Sequence, residues 1–242
     1  MANTHSLDLE LGNSQYASRA DTASLSITGD ITIEAWIKLE QLPSTPSTRF
    51  GIVSKFLDDA VDKRSYRLAV SAADKLEITW SADGTSNNIA VWSADGAFVA
   101  GDVGKWKHVA VAVTVATETA ALYVDGAPVA ATKTSDVGTA TSIHDNNSQL
   151  ALGAGKNTET TATEFFDGKI DNVRVWSVVR TTTEILAYYQ QELGSATNLQ
   201  GSWKLNNDYI DASGNGNTLT ASGGPTFDTD VPFSVSGFFS VL

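Results

Sequence analysis

The sequence predicts an all-β fold in which two antiparallel sheets form a sandwich with one short helix. Short segments of alternating apolar and polar residues recur at intervals of about ten residues, a spacing typical of sandwiches. The chain has 242 residues, of which 19 are glycine, a residue that suits the many turns such a fold needs. Hydrophobic residues make up 42% of the chain, which is sufficient for a sizeable core. We therefore expect one domain spanning residues 1–242.

Alternation predicts the strands in order along the chain. The first lies around Leu7, Leu9 and Leu11, whose side chains share one face. The Asp125-Gly126 pair predicts a hairpin turn between two later strands. The two strands of this hairpin are expected at 121–126 and 127–130, and the remaining ones at 31–39, 51–55, 65–70, 75–80, 88–92, 106–115, 149–153, 170–176 and 199–205.

One helix is predicted near residue 181. Thr181 and Glu184 have the spacing of a capping box, in which each side chain bonds the backbone N–H of the other residue. Ile185, Tyr188 and Leu193 then repeat at helical intervals, and glycine follows Leu193. The expected helix runs from this cap to Leu193.

Composition excludes several functions. The formal net charge of −12 argues against nucleic-acid binding and against anionic membrane surfaces. The chain has no cysteine, and no apolar run is long enough for membrane insertion. No basic region followed by an apolar run marks a signal peptide at the N-terminus. The expected location is extracellular, at a cell surface or in a virion.

Several motifs occur in one order between about Leu7 and Thr220. They include Thr32-Ile-Glu-Ala-Trp36, Gly104-Lys-Trp-Lys-His108-Val-Ala110, Leu122-Tyr-Val-Asp-Gly126 and Asp167-Gly-Lys-Ile-Asp171-Asn-Val-Arg174-Val-Trp176. This series resembles the laminin G-like and pentraxin-like domains of the concanavalin A-like lectin/glucanase superfamily. The resemblance implies a jelly roll that binds a glycan or a protein on its concave face or its rim, frequently with calcium.

The resemblance implies a calcium site between two loops. In pentraxins, calcium is held by an acidic loop and by a second loop farther along the chain. The matching loops here offer Asp58, Asp59 and Asp62 in the first, and Asn157 and Glu159 in the second. Gly155-Lys156 stands where that family has acidic and amide ligands, which departs from the pattern. The alternative is that the first loop is simply solvated.

The resemblance also implies a structural ion near Asp30 or Asp171, because related modules tie the rim to the first strands. The alternative is that Asp171 pairs with Arg174 or is solvated. The disulfide of pentraxins matches Glu34 and Ala110, so that pair is expected only as a cross-strand contact.

Two groups of aromatic residues are candidates for binding a sugar ring. Glu34, Trp36, Trp106 and His108 are expected on one face of neighbouring strands, either as a sugar site or as buried residues with Glu34 contacting His108 or Lys38. The second group is Trp80 and Trp92 with the loop residues Asn87 and Asn88. Each of these two Trp residues precedes a Ser-Ala-Asp-Gly turn, so exposed rings and core packing are both open.

Three function classes remain, and a non-catalytic glycan- or glycoprotein-binding adhesion module is the leading one. Catalysis is disfavoured, because glucanases of this fold use a Glu-x-Asp-x-x-Glu strand that does not occur here, and because Asp8 and Glu10 lie on a terminal strand. The rival is a virion or cell-surface structural protein. Residues 231–242, with Phe238-Phe239, are its expected docking strand on a neighbouring chain, unless they close the chain's own sheet.

Overall fold

The structure, a computed structural model, describes residues 3–58, 62–156 and 158–233. Two eight-stranded antiparallel sheets account for most of this chain, and a two-stranded ribbon lies beside them. Their facing surfaces enclose one large hydrophobic cluster. This arrangement confirms the predicted all-β sandwich of concanavalin A-like type.

The first sheet contains the longest strands. In spatial order it consists of β10 (Ala127–Val129), β9 (Thr119–Val124), β8 (Trp106–Thr114), β3 (Ile31–Leu39), β15 (Gly168–Trp176), β1 (Ser6–Leu9) and β18 (Thr226–Asp228), and β16 (Leu199–Trp203) also pairs with β15. The strand β8 shows the predicted row of apolar residues clearly. Val109, Val111 and Val113 of β8, for example, are fully buried between the sheets.

The second sheet packs across the core from the first. In spatial order it consists of β11 (Ala131–Val137), β7 (Ile89–Ala94), β6 (Leu76–Ser81), β5 (Arg64–Val70), β4 (Phe50–Phe56), β12 (Leu150–Leu152), β2 (Tyr16–Arg19) and β17 (Thr220–Ser222). The small ribbon pairs β13 (Gly155–Lys156) with β14 (Ala162–Thr163). The chain of β13 runs so close to β4 that a Cβ at Gly51 would lie 2.5 Å from the carbonyl carbon of Ala154.

The predicted helix exists but is shorter than expected. The helix α1 spans Thr182–Tyr188, and the capping box of Thr181 and Glu184 is confirmed. The prediction of helix to Leu193 was wrong, because side chains of the first sheet bind the carbonyls that follow. Arg174 donates to the carbonyl of Tyr188 at 3.1 Å, and Trp36 donates to that of Tyr189 at 2.7 Å.

The central strand β15 changes partners along its length. Its first residues, as far as Ile170, pair with β1, and its last residues, from Val173 onward, pair with β16. A bulge lies at the change, where two residues of β15 face one residue of β3. Asn172 takes a left-handed φ of 46° at this point, so Val173 returns to the core after Asp171 has pointed outward.

Besides the two short strands of the ribbon, β13 and β14, four strands were not predicted from the sequence. β2, β17 and β18 are three or four residues long, and β11 is a Thr- and Ser-containing edge strand with mostly exposed side chains. None of them presents an apolar alternation long enough to be recognised. Among the described residues, no helix has the length and apolar composition needed to cross a membrane.

Candidate functional site

The outer face of the first sheet is covered by the chain itself. α1 packs there through Ile185, which forms a small apolar cluster with Ala110 and Tyr123. Tyr189 then stacks on Trp36 with ring centroids 5.8 Å apart. Of the two interpretations, the structure favours the buried one: Glu34, Trp36 and His108 are buried, Glu34 contacts His108, and Trp106 is half-buried.

A buried polar network lies under this cover. Glu34 is the centre: His108 Nε2 is 3.4 Å and Arg174 Nη1 is 3.6 Å from its carboxylate, and Trp176 donates to it at 2.8 Å. Burial alone raises the pKa of Glu34, but Arg174, His108 and Trp176 outweigh burial and lower it to about 2. Burial lowers the pKa of His108, which favours the neutral ring. The network holds the cover to the sheet and is out of reach of a ligand.

The outer face of the second sheet carries a different kind of network, an ion-paired row. We call it the arginine–carboxylate chain; its members are Asp58, Arg67, Glu164, Arg49 and Glu77. Arg67 lies 2.6 Å from Asp58 and 3.3 Å from Glu164, and Arg49 lies 2.7 Å from Glu164 and 3.0 Å from Glu77. Two arginines thus alternate with three carboxylates across the face.

Hydroxyl groups extend this chain to the edge of the sheet. Ser93 of β7 lies 3.3 Å from Glu77 and 3.3 Å from Thr134 of β11, an exposed residue. The Nε groups of Arg49 and Arg67 have no hydrogen-bond partner among the described residues. The face therefore combines planar cationic donors, carboxylate acceptors and hydroxyls, all of which can form hydrogen bonds with a polar ligand.

Strands and loops separate widely in sequence build this face. Arg67 and Glu77 point outward from β5 and β6 because their neighbours Tyr66, Leu68 and Ile78 point into the core. Arg49 and Glu164 come from loops that are 115 positions apart. Sequence reasoning missed all five members as ligand-binding residues, apart from naming Asp58 as a metal ligand. Outward charges on two alternating strands were the one available signal.

The two aromatic candidates, Trp80 and Trp92, differ in burial. Trp80 is fully buried and donates from Nε1 to the carbonyl of Ala140 at 2.8 Å, so the prediction of a ligand role is wrong. β6 directs it into the core, where a buried indole satisfies its N–H from a neighbouring loop. Trp92 is half-buried, packs against the same core and donates to the carbonyl of Glu118 at 3.0 Å. Its ring has its own structural partner.

Asn87 and Asn88 lie together in the loop between β6 and β7. Asn88 donates to Asp83 at 2.5 Å and accepts from the backbone of Thr139 at 2.9 Å, so it ties two loops together. Asn87 is exposed, and its N–H donates to Thr85 at 3.0 Å.

The loops predicted to bind calcium carry basic partners in the described chain. Asp58 pairs with Arg67, and Glu159 lies 3.4 Å from Lys63. The carbonyl of Glu159 accepts from Lys156 at 2.8 Å. Asp62 is exposed, while Asp59 and Asn157 lie outside the described residues. Because their carboxylates already have cationic partners, Asp58 and Glu159 do not fit a calcium site.

Asp30 and Asp171, the other predicted metal ligands, lie apart. Asp30 accepts a hydrogen bond from the backbone N–H of Val115 at 3.0 Å. It also lines a polar cavity of about 270 Å³, together with Ser177 and Gln200. Asp171 is fully buried at the bulge of β15, where Asn3 donates to it at 2.7 Å. The alternative, in which Asp171 pairs with Arg174 or is solvated, is not observed either, because Arg174 pairs with Glu34 and Asp171 is fully buried.

A third group of acidic residues lies at the end of β1. Carboxylate oxygens of Asp8, Glu10 and Glu40 lie within 4.8 Å of one another. Lys169 is 3.1 Å from Asp8 and 3.8 Å from Glu40, so this group already forms ion pairs with a lysine. Glu10 and Glu40 are exposed, so the group is at the surface.

The C-terminal region is described as far as residue 233. Thr226–Asp228 pairs with β1, Asp230 accepts from Trp106 at 3.0 Å, and the ring of Phe233 lies 5.9 Å from that of Trp36. This part of the chain packs on its own sheet. Most of the predicted docking strand 231–242, including Phe238-Phe239, lies outside the described residues.

Comparison with known proteins gives one family. A family model described as the concanavalin A-like lectin/glucanases superfamily, laminin G type, matches residues 11–186. A comparison with curated proteins found no match. The matched segment includes β2 to β15, which are the strands of both sheets apart from β1, β16, β17 and β18.

Solved structures share the fold at low sequence identity. A putative carbohydrate-binding protein from Bacteroides ovatus is 20% identical with a TM-score of 0.67, and the match covers 95% of this chain and 60% of that protein. A heptameric SAP-like pentraxin from Limulus polyphemus is 14% identical with a TM-score of 0.61, over 95% of this chain and 97% of that one. The CBM40 of the Ruminococcus gnavus IT-sialidase, bound to α2,3-sialyllactose, is 13% identical with a TM-score of 0.52, over 77% and 98%.

Proposed function

The chain belongs to the concanavalin A-like lectin/glucanase superfamily, and from this premise we propose that it is a non-catalytic carbohydrate-binding module. The observation that carries the proposal is the arginine–carboxylate chain on the outer face of the second sheet. The first sheet offers no comparable face, because α1 and the residues after it cover its centre.

The chemistry of the face suits sugar hydroxyls. A guanidinium donates several hydrogen bonds in one plane, while a carboxylate accepts them, so a diol can be held by both at once. Arg49 and Asp58 keep 27% and 33% of their side chains exposed, and Thr134 is exposed at the edge of the sheet, next to Ser93. A glycan lying along this row would meet donors and acceptors in alternation.

Binding rather than hydrolysis follows from how the carboxylates are used. A retaining glycosidase needs two carboxyl groups about 5 Å apart, one of which transfers a proton. On this face Asp58, Glu164 and Glu77 are each paired with an arginine. A carboxylate oxygen in such a pair can accept a further hydrogen bond from a ligand hydroxyl.

Two of the relatives by fold are described as carbohydrate-binding, which supports the same class of ligand. The location that suits a glycan-binding adhesion module is extracellular, at a cell surface or on a virion. The alternative is a virion or cell-surface structural protein that assembles through residues 231–242. No contact in the described part of the chain favours that alternative over glycan binding.

The test is a glycan-array screen followed by calorimetric titration of the best ligand. Arg49→Gln removes one planar cation, and we expect about tenfold weaker binding or more, because a hydrogen bond to a charged group contributes about 1.5–3 kcal/mol. Lys105→Gln is the matched control, since Lys105 is an exposed basic residue before the first sheet's β8.

The control variant should bind within about twofold of the wild type, and circular dichroism should show both variants folded. An array without any bound glycan would overturn the proposal. If Arg49→Gln and the wild type bound the glycan with equal affinity, the arginine–carboxylate chain would not be the binding site.

A further inference from the structure

Three side chains from neighbouring strands meet at one end of the second sheet. Lys55 lies near the end of β4, Asp21 follows β2, and Asn146 lies in the loop before β12, the strand that pairs with both β2 and β4. Antiparallel pairing places the ends of β2 and β4 beside the start of β12. The fold therefore brings together a lysine, a carboxylic acid and a carboxamide that are distant in sequence.

Lys55 is enclosed and lies against the other two residues. Its side chain is 0% exposed, and its Nζ is 3.0 Å from a carboxylate oxygen of Asp21. The same Nζ is 3.2 Å from Oδ1 of Asn146 and also contacts the backbone carbonyl of that residue. Burial lowers the pKa of Lys55, although the hydrogen bond and the charge of Asp21 oppose the shift. This direction favours the neutral amine, which is the nucleophilic form of lysine.

The carboxamide of Asn146 has the features of an acyl group that such an amine can attack. Its Oδ1 accepts a hydrogen bond from the backbone N–H of Ser148 at 2.9 Å. That donor polarises the carbonyl and would stabilise negative charge on the oxygen during attack. The Nδ2 of Asn146 is buried and has no hydrogen-bond partner among the described residues, so no contact described here holds it back from leaving.

We propose that Lys55 and Asn146 form an intramolecular isopeptide bond. The lone pair of Nζ attacks Cγ of Asn146, and the Nζ–Cγ bond forms while the Cγ–Nδ2 bond breaks. Asp21 accepts the proton that Nζ loses and passes it to Nδ2, which leaves as ammonia. The reaction exchanges one amide for another, so neither carbon nor nitrogen is oxidised or reduced.

A neighbouring lysine–asparagine pair lacks these features and serves as the comparison. Lys63 contacts Oδ1 of Asn147, but its side chain is 26% exposed. The carboxylate nearest to it, that of Glu159, is 3.4 Å away and 44% exposed. Water therefore solvates this amine and keeps it protonated, so we expect no bond between Lys63 and Asn147.

The bond would lock the second sheet at this end. Lys55 and Asn146 are 91 positions apart, and a covalent link of that span restricts the unfolded chain as a disulfide does. The sequence has no cysteine, so disulfides cannot supply such a link. This inference does not depend on the proposed glycan binding, and its failure would leave that proposal unchanged.

The experiment is mass spectrometry of the denatured full chain, followed by tryptic peptide mapping. The expected mass is lower than the sequence mass by one ammonia, and one cross-linked species should contain both Lys55 and Asn146. Trypsin should not cleave after Lys55, because an acylated lysine has lost its charge. These results on the wild type decide the proposal even where a variant does not fold.

The variants assign the roles. Lys55→Met and Asn146→Ala should each have the full mass of their own sequence, and Asp21→Asn should leave most of the chain unlinked, because the proton transfer is lost. Asn147→Ala is the matched control and should keep the loss of ammonia.

Three results would overturn the proposal. One is a wild type with the full sequence mass. Another is a loss of ammonia that Lys55→Met retains, which would point to cyclisation at Asn215-Gly216 instead. The third is a loss of water with a peptide that joins Lys55 to Asp21, which would make Asp21 rather than Asn146 the acyl group.

Discussion

Glu34→Gln should destabilise the protein by about 3–5 kcal/mol, the usual cost of leaving a buried charge without its partner. The variant keeps the shape of residue 34 but removes the anion that faces Arg174, which is 2% exposed, and His108. The change should be measured as a lower midpoint of urea unfolding at an unchanged slope. The loosened element would be the cover formed by α1 and Tyr189.

Glu159→Gln is the matched control for this variant. Its carboxylate is 44% exposed and 3.4 Å from Lys63, so the same substitution should cost less than about 1 kcal/mol. A Glu34→Gln protein within about 1 kcal/mol of the wild type would contradict the role assigned to the buried network.

The same network predicts acid sensitivity. Glu34 has a pKa of about 2 in the folded state against 4.5 ordinarily, so its stabilising contribution is present above pH 4.5 and is lost as the pH falls towards 2. The lowered pKa of His108 acts in the same direction, because the unfolded chain takes up that proton first. Unfolding midpoints of Glu34→Gln should therefore fall less steeply with acid than those of the wild type.

Trp80→Ala should cost about 3–5 kcal/mol, because it removes the largest class of side chain from a closed core and deletes the hydrogen bond to Ala140. Thermal and urea unfolding measure the loss. At a temperature where the variant is folded, its affinity for a glycan should match that of the wild type.

Trp92→Ala is the comparison, since Trp92 is only half-buried and should cost less. A stable Trp80→Ala protein that has lost glycan binding would contradict the core assignment and restore the stacking role predicted from the sequence.

Periodicity predicted the fold because it reports burial. Val109, Val111 and Val113 alternate along the nine-residue strand β8, and the capping box of α1 is a local pattern, so both were recognisable. The end of α1 was not recognisable, because it depends on Arg174 of β15 and Trp36 of β3, which bind the carbonyls of Tyr188 and Tyr189. The bulge at Asn172 was equally hidden, since it depends on pairing with β3.

The candidate sites were harder to predict for the same reason. Trp80 and Trp92 stand beside similar turns in the sequence, yet one is fully buried and the other half-buried. Arg49 and Glu164 meet only after folding, and so do Asn3 and Asp171. Asp171 was a candidate because of the family resemblance. Its contact with Asn3 could not be predicted, because it depends on how β15 changes partner strands.

The central claim is that the arginine–carboxylate chain binds a glycan, and side-chain NMR tests it most directly. The Nε–H groups of Arg49 and Arg67 are buried without partners in the described chain, so their signals should be observable and sensitive to a ligand. Titration with the best array glycan should shift these signals together with the amide of Thr134. Shifts confined to α1 and the first sheet, with both arginines unchanged, would contradict the account.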